Sequence, residues 1–204
     1  MPDRPGPRLV LASASPRRRQ LLRLIGLEHR IDPAGIDEVP EPDEPAGAYC
    51  LRAAVDKTRE VASRHPADAV LGADTVVEVE GRILGKPLDD EEACAMLRAL
   101  SGREHHVHSA MALAAGARFA SLVDTTSVRF RRLDERMIEW YVATREPHDK
   151  AGAYGLQGVG GLLVEAVVGS PHTVVGLPIH RLPELFHAAG LNLWERLRRV
   201  RGEG

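Results

Sequence analysis

Residues 69–87 read AVLGADTVVEVEGRILGKP, and their pattern decides the class of fold. Apolar and β-branched residues stand on both sides of a Gly-Ala-Asp-Thr interruption, and Glu80–Gly81 supplies a turn. The stretch therefore predicts β structure, a break at 72–75, and a hairpin. Working outward, RLVLAS (8–13) reads as a buried strand. Ser15 is then a good N-cap, Pro16 suits the first helical position and Gly26 is a stop, giving a helix over about 16–25. HRIDPAG suggests a second short strand, and DEVPEPDEP (37–45) is an acidic, proline-rich loop. A longer helix follows over about 46–64, with apolar residues at helical spacing.

Beyond the hairpin, LDDEEACAMLRALSG reads as a helix begun at Asp89 or Asp90 and ended by Gly102. EHHVHSAMALAA and RFASLVDTTSVRFRR alternate on either side of a turn near Gly116, a long antiparallel pair. DERMIEWYVAT is a short helix started at Asp134, and REPHDKAGAYGLQGVGG is a glycine-rich loop. LLVEAVVG and HTVVG read as strands around a Gly-Ser-Pro turn. The tail PELFHAAGLNLWERLRRV reads as helix with a break at Gly190–Asn192. This order predicts an α/β fold around a mixed sheet, part parallel and part antiparallel.

A length of 204 residues suits one domain or two small lobes, and a formal charge of −2 gives no global argument for nucleic acid or an anionic membrane. No run approaches the ~20 apolar residues of a membrane span, and MPDRPGPR does not resemble a signal peptide. With Cys50 and Cys94 both in helix-like segments, a reduced, cytoplasmic protein is expected.

Only three of the 27 basic residues are lysines, namely Lys57, Lys86 and Lys150, each beside loop or turn signals. Either chance or a need for a compact ammonium at these places explains them. Gly152, Gly155, Gly158, Gly160 and Gly161 leave backbone unscreened and able to approach a phosphate or a base edge, with Lys150, Tyr154 and Gln157 interleaved. Asp74 has two readings: a turn aspartate capped by Thr75, or a metal-bound or general-base carboxylate. Of the loop acids Asp37, Glu38, Glu41, Asp43 and Glu44, one or two could help hold a divalent cation. HHVH (105–108) lacks zinc-site spacing and reads as a half-exposed strand, with His105 pointing away from His106 and His108. His148, within the glycine-rich loop, is a candidate for substrate contact. Arginines are disfavoured at a helix N-terminus unless that end binds an anion, as Arg17, Arg18 and Arg19 suggest here. Together these pieces point to one anion-binding cleft suited to phosphoryl or nucleotidyl chemistry.

LASASPRRRQLL, GADTVV, GKP, DKAGAYGLQGVGG and VVGLP, in this order and spacing, resemble the Maf family of nucleoside triphosphate pyrophosphatases over about residues 8–190. The resemblance implies a single domain over 1–204, with an elongated, twisted mixed β-sheet flanked by helices, related to the inosine triphosphatase fold. Two lobes would enclose a cleft, in a cytoplasmic homodimer with neither nucleic acid nor membrane as partner. It implies hydrolysis of a nucleoside triphosphate to the monophosphate and pyrophosphate, with Mg²⁺ or Mn²⁺. Asp74 falls on the proton acceptor, and Ser13, Arg17 and Arg18 on triphosphate-binding positions. Lys57 and Lys86 fall on essential lysines, and Glu38 on an acid serving the metal beside Asp74. Pro16, Arg17, Thr75 and Gln157 match the branch acting on dTTP and UTP, and a glutamine amide can donate to and accept from an imide edge. The alternatives are a pyrophosphatase for 7-methyl-GTP or other modified nucleotides, a regulator of septum formation acting by protein contact, and a nucleotide sensor without turnover.

Overall fold

Short strands and covering helices alternate along the chain until two long strands supply most of one sheet. A computed structural model describes residues 7–37 and 39–198. In chain order it holds β1 (Leu9–Leu11), α1 (Pro16–Leu24), β2 (Arg30–Ile31), α2 (Ala46–Arg64), β3 (Ala69–Val79), β4 (Arg82–Leu84) and α3 (Asp90–Leu100). There follow β5 (Glu104–Ala115), β6 (Arg118–Phe130), α4 (Glu135–Ala143), β7 (Val164–Val168), α5 (Pro171–Val175) and α6 (Leu182–Ala188). Short 3₁₀ turns at 146–149, 151–153 and 159–163 break up the glycine-rich loop. The strands form one sheet in the order β2-β1-β3-β5-β6-β7, with β4 also on β3. β1 runs parallel to β2 and β3, and the remaining pairs are antiparallel, the mixed sheet that the element order predicts.

Local chemistry starts the helices where their caps are. The Ser15 hydroxyl accepts from the Arg18 backbone N–H with Pro16 behind it, and Gly26, at φ 73°, turns the chain out of α1. Asp89 caps α3 by accepting from Glu92 N–H at 2.8 Å, and Asp134 caps α4 by accepting from Met137 N–H at 2.8 Å.

Three expectations need correction. The break at 72–75 does not exist: Ala69–Glu78 pair residue for residue with Ala115–His106 of β5, so Asp74 lies in mid-strand. HTVVG is not a strand but most of the short helix α5, which Pro171 opens and Gly176, at φ 112°, closes. There tertiary packing overrides the β preference of the two valines, Val174 and Val175, which reach different cores. Over residues 191–198, the described part of the tail after Gly190, no helix resumes. The Asn192 side chain accepts from Trp194 N–H at 3.1 Å, a local turn that competes with helix, and Leu197 then bridges to Leu27.

Side-chain alternation along β3 splits the interior. On one sheet face, Ala69, Leu71 and Ala73 join Leu9, Leu11, Leu21 and Leu22 under α6. Further along that face, Val77 and Val79 join the core under α3 and α4. The opposite face meets α2, with Val70 against Val61 and Val76 against Tyr49, Cys50 and Ala53. Two cores at the two ends of one sheet make two lobes, and truncating a buried Leu in either to Ala costs about 2–5 kcal/mol. The seam between them has a geometric cause. β1 pairs with β3 only at 69–71, and β4 pairs with it only at 77–79, so no described strand borders 72–76 on that side.

Candidate active site

A cleft of about 860 Å³ opens at that unbordered stretch. Its lining includes Ser13, Arg17, Arg18, Lys57, Asp74, Thr75, Lys86 and Gln157, so eight of the nine residues that the family resemblance marks for the site converge on it. The ninth, Glu38, lies outside the described residues. His148 is not brought to the cleft; its Nε2 lies 2.6 Å from Asp90 Oδ1.

Gly72 explains how the framework wall is built. A Cβ at that position would stand 2.2 Å from Thr58 Oγ1 and 2.9 Å from the Ala54 carbonyl oxygen. Glycine thus lets α2 lie directly against β3, and the next residues on the two elements meet. Lys57, beside Thr58, donates from Nζ to Asp74 Oδ1 at 2.7 Å, and Asp74 shares the sheet face of Gly72. Lys57 is 7% exposed and Asp74 5%. Burying either charge alone would be costly, so each is the condition for the other. The nearby Cys50 thiol is buried, and burial with the Asp74 charge pushes it well up, so it is no nucleophile here.

The two arginines that follow the first strand differ in kind. Arg18 donates from Nε to the Gly176 carbonyl at 2.9 Å and from Nη1 to Ala73 O and Ser13 Oγ at 2.8 and 3.0 Å. Its Nη2 donates to Thr75 Oγ1 at 3.0 Å. Arg18 therefore ties α1 to β3 and to the end of α5, and Thr75 is part of the same network through Ser109 at 2.9 Å. Arg17 instead reaches across the cleft. Its Nη1 donates to Asp149 Oδ2 at 2.6 Å and its Nη2 to the Asp149 carbonyl at 3.3 Å. Lys150 Nζ donates to the other Asp149 oxygen at 2.6 Å. Burial alone would raise the Asp149 carboxyl, but the hydrogen bonds from Lys150 and Arg17 outweigh it and hold it below the usual carboxylate range.

The glycine-rich loop forms the facing wall, and Glu146 organises it. Glu146 Oε1 accepts from the Tyr141 hydroxyl at 3.0 Å and from Gly160 N–H at 3.1 Å, while Oε2 accepts from Val159 N–H at 3.1 Å. Tyr141 in turn accepts from Gly155 N–H at 3.1 Å. The loop glycines serve this clamp. A Cβ at Gly158 would stand 2.7 Å from Glu146 Oε2, and one at Gly160 would stand 2.5 Å from the Tyr141 hydroxyl. A Cβ at Gly155 would meet Lys150 Cε at 2.7 Å. On their Cβ sides these glycines are closed off by the protein itself, so packing within the loop requires glycine there, while Gly155, Leu156 and Gln157 still line the cleft. Gln157, between the clamped ends, is exposed to the cleft. Lys86 is exposed at the lip, where Gly85 accepts from Gly152 N–H at 2.9 Å and joins the GKP turn to the loop.

Among the described residues no three His, Cys, Asp or Glu side chains gather as a metal cage. The carboxylates lining the cleft among the described residues are Asp74, paired with Lys57, Asp149, paired with Arg17 and Lys150, and Asp37. That donor set fits a hard divalent cation that takes only one or two carboxylates from the protein. Sequence reasoning missed Tyr141, Glu146 and Asp149. The only local signal was an acid, Glu146, standing just before a run rich in unscreened backbone N–H groups.

A family model described as Maf-like protein matches residues 8–189. A dTTP/UTP pyrophosphatase of Myxococcus xanthus (strain DK1622) is 51% identical over 185 residues, covering 91% of this chain and 94% of that protein. A dTTP/UTP pyrophosphatase of Anaeromyxobacter dehalogenans (strain 2CP-1 / ATCC BAA-258) is 50% identical over 196 residues, covering 93% and 98%. Among solved structures, a HAM1 protein from Coxiella burnetii is similar at 17% identity and a TM-score of 0.46, over 90% of this chain and 95% of that one.

Proposed function

The chain belongs to the Maf-like protein family, and on that premise we propose that it hydrolyses nucleoside triphosphates, dTTP and UTP foremost, to the monophosphate and pyrophosphate. The observation that carries this reading is the ion pair of Lys57 on α2 with Asp74, 2.7 Å apart, where Asp74 stands in mid-strand at the open edge of β3. Asp74 takes the proton of a water whose oxygen bonds to the α-phosphorus. The bond from that phosphorus to the bridging oxygen of the β-phosphate breaks, and pyrophosphate leaves. Lys57 holds the Asp74 carboxylate in place, and Lys86 meets phosphate charge from the lip. Arg17 and the hydroxyl of Ser13 bind the phosphates near the start of α1, where free backbone N–H groups favour anions. Arg18 and Thr75 act on substrate through the fixed geometry of that end. Asp74 and Glu38 would hold a divalent cation entering with the substrate, which would supply neutralisation of phosphate charge.

Gln157 reads the base. Its amide can donate to a carbonyl of thymine or uracil and accept from the imide N–H. We further place the protein as one domain over 1–204, since β3 and β5 both contribute to the two cores. Two free cysteines, Cys50 and Cys94, support a reducing, cytoplasmic setting, and the family resemblance supports a homodimer. The small formal charge supports a small-molecule substrate over nucleic acid, and no described helix is long and apolar enough to cross a membrane.

Pyrophosphate release across dTTP, UTP, dCTP, GTP, ATP and 7-methyl-GTP, with and without Mg²⁺, tests this. Wild type is expected to be fastest with dTTP and UTP, and Asp74→Asn to lose on the order of 10²-fold or more in kcat. Preference for 7-methyl-GTP would overturn the substrate assignment. A folded Asp74→Asn that turns over at the wild-type rate would overturn the role of Asp74.

A further inference from the structure

The carboxylate of Glu146 and the hydroxyl of Tyr141 lie behind the cleft wall, yet between them they take the backbone N–H groups on both sides of Gln157. Gly155 N–H is held by Tyr141, and Val159 and Gly160 N–H by Glu146, with Tyr141 donating to Glu146 to close the clamp. Burial pushes the Tyr141 hydroxyl well up, so it stays protonated and keeps its donor role. Hydrogen bonds to an ionised acceptor are the strong ones, and three converge on this one carboxylate.

The arrangement bears on a problem of base recognition. A glutamine amide rotated by 180° exchanges its oxygen and nitrogen, so it can pair with the imide edge of thymine or, turned over, with the N3 and exocyclic amine of cytosine. A side chain free to make either pairing discriminates weakly. Backbone N–H and C=O groups cannot exchange places, provided the segment that carries them is fixed. Residues 155–158 line or border the cleft and are fixed at both ends.

We propose that Glu146 and Tyr141 are positioning residues for nucleobase selection, holding the 155–160 segment rigid so that its backbone, together with Gln157, admits an imide edge and rejects a cytosine edge. This rests on the reading of the cleft as a dTTP/UTP site. Neither residue touches substrate.

The test is kcat/KM for dTTP and for dCTP, measured on wild type, Tyr141→Phe, Glu146→Gln and Glu146→Ala. Tyr141→Phe keeps the ring in its core and removes only the hydroxyl. Glu146→Gln keeps one accepting oxygen and loses the acceptor for Val159. The dTTP:dCTP ratio is expected to fall at least tenfold in Tyr141→Phe and in Glu146→Ala, and by less in Glu146→Gln. The loss should appear mainly as a raised KM for dTTP, with kcat nearly kept, because the Asp74 wall is untouched. A wild-type enzyme that treats dTTP and dCTP alike would overturn the substrate reading and this inference together. A wild type that discriminates, with Tyr141→Phe folded and equally selective, would overturn the inference alone. So would dTTP and dCTP rates that fall in equal proportion, since that is the mark of a general structural role.

Discussion

The two walls of the cleft are held by different forces. The Asp74 wall is a strand in mid-sheet, pressed by a helix whose approach only a glycine permits, and its ion pair is nearly sealed from water. The Gln157 wall is a loop with little regular structure, held by a carboxylate, a phenol and the backbone N–H groups they collect. Packing fixes the side where bonds would break. Hydrogen bonds fix the side where a base would be chosen. Packed positions tolerate substitution poorly and hydrogen-bonded loops tolerate it better, so the first wall is suited to what every substrate shares and the second to what distinguishes substrates.

The sharpest way to break this contrast is at the buried pair. Lys57→Met removes the ammonium that Asp74 meets at 2.7 Å, and breaking a buried ion pair from one side costs about 3–5 kcal/mol. Urea midpoints should fall accordingly, and the double variant Lys57→Met/Asp74→Leu should recover most of the loss while remaining inactive. A single variant as stable as wild type would mean that the wall is not held by this pair.

The loop wall has its own weak point, and it is acid. His105 is fully buried at the start of β5, with Nε2 2.8 Å from the hydroxyl of Tyr154, the residue that leads into the clamped segment. Its Nδ1 has no hydrogen-bond partner among the described residues. Burial pushes the imidazole down to about 4 from its ordinary 6.5, with His106 adding a little. The unfolded chain therefore binds a proton at His105 below pH 6.5 that the folded chain refuses until about pH 4. Stability is fully present above 6.5 and declines as pH falls through that window. The contribution is about 2 kcal/mol between pH 7 and 4.5. Urea melts of wild type and His105→Gln at the two pH values check it: the variant should show a slope flatter by that amount. Asp149 and Glu44, whose carboxyls are held low, keep their ion pairs through this window and lose them only further down, so they do not confuse the reading.

Much of this was legible in the chain because the relevant signals are local. Ser15, Pro16 and Gly26 delimit α1, and Asp89 and Asp134 cap α3 and α4, each through contacts within three residues or so. The motif residues Asp74, Lys57, Lys86, Arg17 and Gln157 line one cleft, where the family resemblance put them together. What failed was whatever depends on a distant neighbour. Gly72 looked like a break because nothing nearby says that Thr58 lies across from it, and Val174–Val175 looked like strand because their packing against two separate cores is invisible locally. Glu146 was missed since its partners are backbone groups, which carry no sequence letter of their own. Asp149 lies 132 residues from the arginine it meets.

That last contact sets up the smallest of these effects and the finest test of the comparison, because neighbouring arginines fall on opposite sides of it. Arg18 belongs to the packed wall. Arg18→Ala removes the donor shared by the Ala73 and Gly176 carbonyls and the Ser13 and Thr75 hydroxyls, and a loss of about 2 kcal/mol is expected from these broken hydrogen bonds. Arg17 belongs to neither wall but spans them, on a carboxylate that is more than half exposed. Pairs of that kind contribute about 0–1 kcal/mol, so Arg17→Ala should melt almost with wild type. Its effect should fall instead on the KM for the triphosphate, because Asp149 now sits where a phosphate oxygen would accept the same two N–H groups. Arg19 does not line the cleft, and Arg19→Ala should change neither melting nor KM. Thermal melts and KM values for the three alanine variants separate the roles: stability lost in Arg18→Ala, substrate affinity lost in Arg17→Ala. If Arg17→Ala destabilised the fold as much as Arg18→Ala, the bridge to Asp149 would be part of the framework, and the division between a packed wall and an adaptable one would fall at this point.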